Sequence, residues 1–155
     1  MCTKVLPELS CTATLLEPFL APFNTPSSSA EGPVLVLLQN GIGIEKPIRD
    51  VYPHVSILSA VPWLGANFLL DGRVEHGNLE KLDLGIYTTE RRSKEEKRVE
   101  YAGSERGKLE QTKLEEFAQL LRMGGSDVAV KEEIQIARWH KNIWYVVLCS
   151  FPWSL

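Results

Sequence analysis

The stretch Val34–Gly43, VLVLLQNGIG, constrains this chain more than any other. Five consecutive apolar residues without alternation suit a strand buried on both faces of a parallel sheet. They run into Gln39-Asn40-Gly41-Ile42-Gly43, whose two glycines let backbone pass close to another group. Glu45 and Pro47 follow at once, as at the start of a helix. A buried strand feeding a polar, glycine-bearing turn and then a helix is where open α/β sheets bind ligands, beyond the strand carboxyl ends. Asn-Gly is also the strongest short hairpin signal. A hairpin needs a second strand immediately, and Glu45–Asp50 lacks the pattern of one. The reading is a ligand-facing βα turn.

Around this centre the periodicities predict an α/β chain. Val5, Leu9, Ala13, Leu16 and Leu20 recur at helical spacing, so Pro7 to about Leu20 reads as an amphipathic helix. The proline- and serine-rich segment from Pro22 to Ser29 reads as a loop. After the strand Val34–Leu38 and a short helix near Pro47–Val51, Val55–Val61 reads as a strand ending at Pro62, with Trp63–Ala66 continuing extended. Arg73–His76 and Leu82–Tyr87 read as two further strands joined through Gly77-Asn78. Between Glu90 and Lys108 twelve of nineteen residues are charged, seven basic and five acidic, the mixture of a solvated loop. Thr112-Lys113-Leu114-Glu115 has the form of a capping box, and Gly124-Gly125 stops the helix it opens, whose buried face is Leu114, Phe117, Leu120 and Leu121. Asp127–Val130 is a short strand, and Glu132 and Glu133 stand at the favourable end of a last helix.

Composition sets the outer limits. With 155 residues and 44% apolar content the chain is one domain in size and able to bury a core. A formal charge of −3 gives no reason to expect nucleic acid or a membrane surface as partner. Cys2, Cys11 and Cys149 form neither a CxxC pair nor a disulfide framework, and no metal site is expected. Lys4, Pro7 and Glu8 interrupt anything like a signal peptide, and Ile143–Cys149 is too short to cross a bilayer. The expected setting is the cytoplasm.

Five stretches then occur in one order: Cys2-Thr3-Lys4, Gln39–Gly43, Val61–Ala66, Gly72–Gly77 and Arg138-Trp139-His140-Lys141. Together they resemble the ketopantoate reductase (2-dehydropantoate 2-reductase) family, in fungal-like form, from Cys2 to about Trp144. The resemblance implies NADPH as cofactor and a small 2-oxo acid as substrate, in pantothenate biosynthesis. It implies a Rossmann domain followed by a helical domain that closes over the substrate. Residues 1–131 then form the second half of the Rossmann-type NAD(P)-binding domain, and 132–144 the start of the interdomain helix. The resemblance places Lys4 beside the cofactor, Asn40 facing nicotinamide and substrate, Ala66 at a backbone contact to the cofactor, and Lys141 as the catalytic lysine. Taken alone, Lys4 and Lys141 would read as surface lysines. Trp139 and Ile143 share a helix face with Ile136, which by itself means only core.

The chain also departs from the family. It carries no GxGxxG turn, the element that with its helix N-terminus holds a pyrophosphate. Four residues beyond Lys141, where the family has asparagine, stands Tyr145; eight beyond stands Cys149. Asn142 is expected to project elsewhere, so the substrate-orienting amides are expected to be absent. Residues 145–155 read as an unrelated tail: codons for Trp144-Tyr145-Val146 can contain GTATGT, a fungal intron start, and a translated intron is the expectation. Two functions follow. One is a ketopantoate reductase-like oxidoreductase, inactive as the fragment given. The other is a non-catalytic pseudoenzyme or gene-model fragment that acts by association, through an exposed sheet edge.

Overall fold

In a computed structural model the described residues are 11–25, 32–88 and 101–150. Lys4 and the first part of the expected leading helix lie outside them. The elements run α1 (Thr12–Leu20), a 3-10 turn (Ala21–Phe23), β1 (Val34–Leu37), α2 (Lys46–Val51), β2 (Ser56–Phe68), β3 (Val74–Ile86), α3 (Glu105–Met123), β4 (Val128–Val130) and α4 (Ile134–Ser150). The strands form one mixed sheet in the order β1-β2-β3-β4. β1 pairs parallel to β2, β2 antiparallel to β3, and β3 parallel to β4.

Strand alternation sorts the side chains into two layers of helices. Leu35, Leu37 and Ile57 pack with Ala13, Leu16 and Leu20 of α1 and with Ile48 of α2. Val61, two pleats further along the same face of β2, meets Ile134 and Ala137 of α4. On the opposite face, Val34, Val36, Leu58, Ala60, Leu82 and Leu84 pack against Leu114, Phe117, Ala118 and Leu121 of α3. Leu120 is not part of that buried face but is 63% exposed.

The sheet departs from the sequence reading in three places. β1 is not central: among the described residues it is an edge strand with β2 as its partner, and only Leu37 of its four residues is fully buried. β2 does not end at Pro62. The β1–β2 register stops at Leu37↔Ser59, so among the described residues no strand lies beside Pro62 on that side, and a residue without an N–H costs no ladder bond there. β2 therefore continues to Phe68, paired with β3 throughout.

The two short strands expected around Gly77-Asn78 are one strand. Between the pairs Leu64↔Glu80 and Ala66↔His76 the register shifts, and β3 takes up its glycine in this irregularity. The backbones come close there: a Cβ on Gly77 would lie 3.2 Å from the Gly65 carbonyl oxygen. The hairpin turns at Leu69–Arg73, closed by Leu69 N–H to Arg73 O at 2.9 Å, with Gly72 at φ +85°.

The capping box at Thr112 does not start a helix. α3 begins eight residues earlier behind Ser104, whose hydroxyl accepts the Gly107 N–H, while Thr112 Oγ1 donates to the Lys108 carbonyl within the helix. Part of the charged run is thus helical; 89–100 lie outside the described residues.

Gly85, near the end of β3, lies directly against the start of α4. A Cβ there would fall 2.6 Å from the Lys131 carbonyl oxygen and 2.9 Å from Ile134 Cβ. Gly85→Ala is expected to lower stability by about 1–3 kcal/mol, the usual cost of overpacking, read from the midpoint of urea unfolding.

Candidate active-site cleft

The candidate site begins with a buried ion pair. Arg138, on the first turns of α4, is 4% exposed, and Glu45, just before α2, is fully buried. Arg138 Nε lies 2.7 Å from Glu45 Oε1 and 2.7 Å from Ser59 Oγ of β2. Ser59 donates to the same carboxylate oxygen at 2.6 Å, and the Gln135 amide donates to it at 3.0 Å. Oε2 of Glu45 has no hydrogen-bond partner among the described residues.

The rest of the guanidinium serves backbone. Arg138 Nη1 donates to the carbonyls of Gln39 at 2.9 Å and Gly41 at 3.0 Å, and Nη2 to Leu37 at 3.3 Å. The two Nη1 acceptors flank Asn40. The carboxyl end of β1 and its turn are therefore held by one side chain from α4, and Asn40 is presented between two anchored carbonyls. Gly41 sits at φ +118°, a conformation a residue with a Cβ rarely adopts. Burial pushes the Arg138 pKa down and Glu45 opposes that shift, yet an arginine stays charged under any ordinary condition.

Lys141 lies one helical turn beyond Arg138, on the same face. Its ammonium donates to the Pro62 carbonyl on β2. It also stands 5.9 Å from the ring centroid of Trp63 and 5.5 Å from that of Tyr145, both within cation–π range. Trp63 is itself fixed by donating Nε1–H to Asp83 Oδ2 at 2.8 Å and by an edge contact with Trp144 at 6.4 Å. Lys141 is only 8% exposed, and burial, with Arg138 nearby as a second cause, lowers its pKa.

Asn40, Gly41, Val61, Arg138, Lys141, Asn142 and Tyr145 line a cleft of about 60 Å³. Asn40 and Lys141, far apart in sequence, thus reach one space. Ala66 does not: it lies four residues past Pro62, beyond the β2–β3 irregularity, and is exposed. Lys4 is outside the described residues. Asn142 was expected to project elsewhere, but it lines the cleft. Residues 138, 141, 142 and 145 form an i, i+3, i+4, i+7 stripe, and such a stripe faces one side of a helix. Glu45 and Ser59 carried no sequence signal as a site, because each reads singly as a surface polar residue; Arg138 stood in one of the five resembling stretches but without a role of its own. Tyr145, placed by sequence in an unrelated tail, belongs to an unbroken α4 that runs to Ser150.

Several comparisons bear on this cleft. The sequence model of the family described as ketopantoate reductase PanE/ApbA matches residues 4–89. A 2-dehydropantoate 2-reductase of Nostoc sp. strain PCC 7120 is 28% identical over 145 residues, which span 94% of this chain and 40% of the relative. The crystal structure of 2-dehydropantoate 2-reductase from Methylococcus capsulatus superposes with a TM-score of 0.58 at 26% identity, over 96% of this chain and 41% of that one. The enzyme of the same name from Geobacter metallireducens GS-15 gives 0.56 at 22% identity, over 86% and 36%, a likeness of fold. The chain thus spans about 40% of the length of its curated relative.

Removing Arg138 leaves Glu45 buried without its cation, so Arg138→Ala is expected to cost about 3–5 kcal/mol, measured by chemical denaturation. Lys141→Met acts in the opposite direction, raising stability at neutral pH by about 1 kcal/mol because it removes a desolvated cation beside another cation. The pH dependence has a definite sign. Folding lowers the Lys141 pKa, so the unfolded chain binds the extra proton and wild-type stability rises with pH above the folded-state value. The advantage of the Met variant should therefore be greatest below that value and shrink toward the ordinary lysine pKa, in denaturation series run at stepped pH.

Proposed function

This chain belongs to the ketopantoate reductase PanE/ApbA family, and on that premise we propose that its cleft binds a small 2-oxo acid at the proton-transfer side of an NADPH-dependent reduction. The observation that carries the reading is the meeting of Asn40 and Lys141 in one cleft. Reduction of a 2-oxo acid adds a hydride to the ketone carbon and a proton to its oxygen, giving a 2-hydroxy acid. Negative charge grows on that oxygen during hydride addition. The Lys141 ammonium stabilises it and delivers the proton. Its lowered pKa makes it the readier donor. Asn40, held by Arg138 on either side, orients the acid with its amide.

NADPH, when bound, supplies the hydride. The described residues fit its nicotinamide end, where Asn40 and Gly41 offer an amide and backbone with no Cβ in the way. Helix α2 does not offer a phosphate site: it opens behind the buried Glu45 carboxylate and carries Pro47 in its first turn. The family resemblance adds Lys4 and Ala66 as cofactor contacts.

A second reading, a non-catalytic chain that acts by associating with another through the β1 edge, is favoured by the engagement of Lys141. Its ammonium already has the Pro62 carbonyl and two rings around it.

Ligand binding by the purified 155-residue chain separates these readings. Saturation-transfer NMR is expected to show ketopantoate binding that Lys141→Ala and Asn40→Ala each weaken about tenfold, the worth of one hydrogen bond to a charged ligand. Failure to bind ketopantoate would replace the first reading by the second.

A further inference from the structure

The cleft contains an amide that the family pattern does not call for. The resemblance assigns substrate orientation to an asparagine four residues beyond the catalytic lysine, and this chain has Tyr145 there. Tyr145 presents its ring to the lysine ammonium, 5.5 Å away. A phenol offers one O–H donor where a side-chain amide offers two N–H donors. Asn142 lies three residues before Tyr145 on the same helical stripe and lines the same cleft.

Three polar residues suited to an acid then line one small space: Asn40 of the strand-end turn, Lys141 with its ammonium on the Pro62 carbonyl, and the exposed Asn142 of α4. Arg138, also in the lining, has its donors committed to Glu45, Ser59 and the turn carbonyls. A volume of about 60 Å³ holds roughly four to six waters at about 10–15 Å³ each. That is the scale of the five heavy atoms of a 2-oxo carboxylate head. The remainder of the acid would extend out of the cleft.

We propose that Asn142 is a carboxylate-binding residue of this cleft, supplying with Asn40 a second side-chain amide beside Lys141 where position 145 offers none. The proposal rests on the reading of the cleft as a 2-oxo acid site. Its chemistry is specific: the amide N–H groups donate to the carboxylate, and a carboxylate at position 142 would repel it.

The test uses the full 155-residue chain, with pyruvate as the smallest 2-oxo acid probe and ketopantoate as the larger one. In 15N-resolved NMR titrations the Asn142 side-chain amide should shift on addition of either acid. Asn142→Ala should weaken binding about tenfold and Asn142→Asp more, while His140→Ala, on the exposed side of the helix and outside the lining, should bind as wild type. Wild-type binding with an unmoved Asn142 amide and an unchanged Asn142→Ala affinity would overturn this proposal and leave the 2-oxo acid reading standing. Absence of binding to wild type would overturn both. A uniform loss in the Ala, Asp and His140 variants, together with altered backbone spectra, would mean that α4 had been disturbed as a whole, and would count against a specific role for Asn142.

Discussion

One guanidinium determines how the sheet and the last helix meet. The strands end in a turn whose carbonyls point into the interior, and buried carbonyls without partners cost about 1–3 kcal/mol each. Arg138 answers Leu37, Gln39 and Gly41 together and neutralises Glu45. It can do so because an arginine presents five donors in a rigid fork and stays charged when buried. Helix α4, the end of β1, the start of α2 and Ser59 of β2 are all fixed relative to that fork. The position of Asn40 follows from it, and so does that of Lys141, one turn further along.

Arg49 does similar work at a different corner. It is 7% exposed and donates to Pro53 at 2.9 Å and Val55 at 2.8 Å, and to Tyr87 at 3.3 Å. It closes the α2–β2 connection against the end of β3. The difference between the two arginines is functional: Arg49 ties framework to framework, whereas Arg138 ties framework to a cleft. Beside it, Lys141 has been drawn out of water and set near a like charge. That placement costs stability, and burial together with the neighbouring guanidinium lowers the pKa of the ammonium.

Much of the framework was legible because it rests on local pattern. The apolar run of β1, its Asn-Gly turn, the α1 stripe Ala13, Leu16 and Leu20, and the Gly124-Gly125 stop of α3 each follow from short-range rules. The misreadings share a cause. Pro62 and Gly77-Asn78 are breakers by residue type, but Pro62 stands where β2 has no partner on one side among the described residues, and Gly77 falls in a register shift. Thr112 has the form of a cap, yet the helix had already begun at Glu105 behind Ser104. In each case a nonlocal pairing or an earlier nucleus decided whether the local signal was used.

The sequence by itself determined an α/β chain, the strand that leads to Asn40, and the likeness to ketopantoate reductases. These are properties of residues near one another or of the order of motifs along the chain. The edge position of β1, the Glu45–Ser59–Arg138 network and the inclusion of Asn142 in the cleft were decided only by tertiary structure. Each depends on how α4 rotates against the sheet, and that rotation is set by a buried charge finding its partners across the fold. No single segment contains the information, because the stabilising contacts exist only once the segments have met.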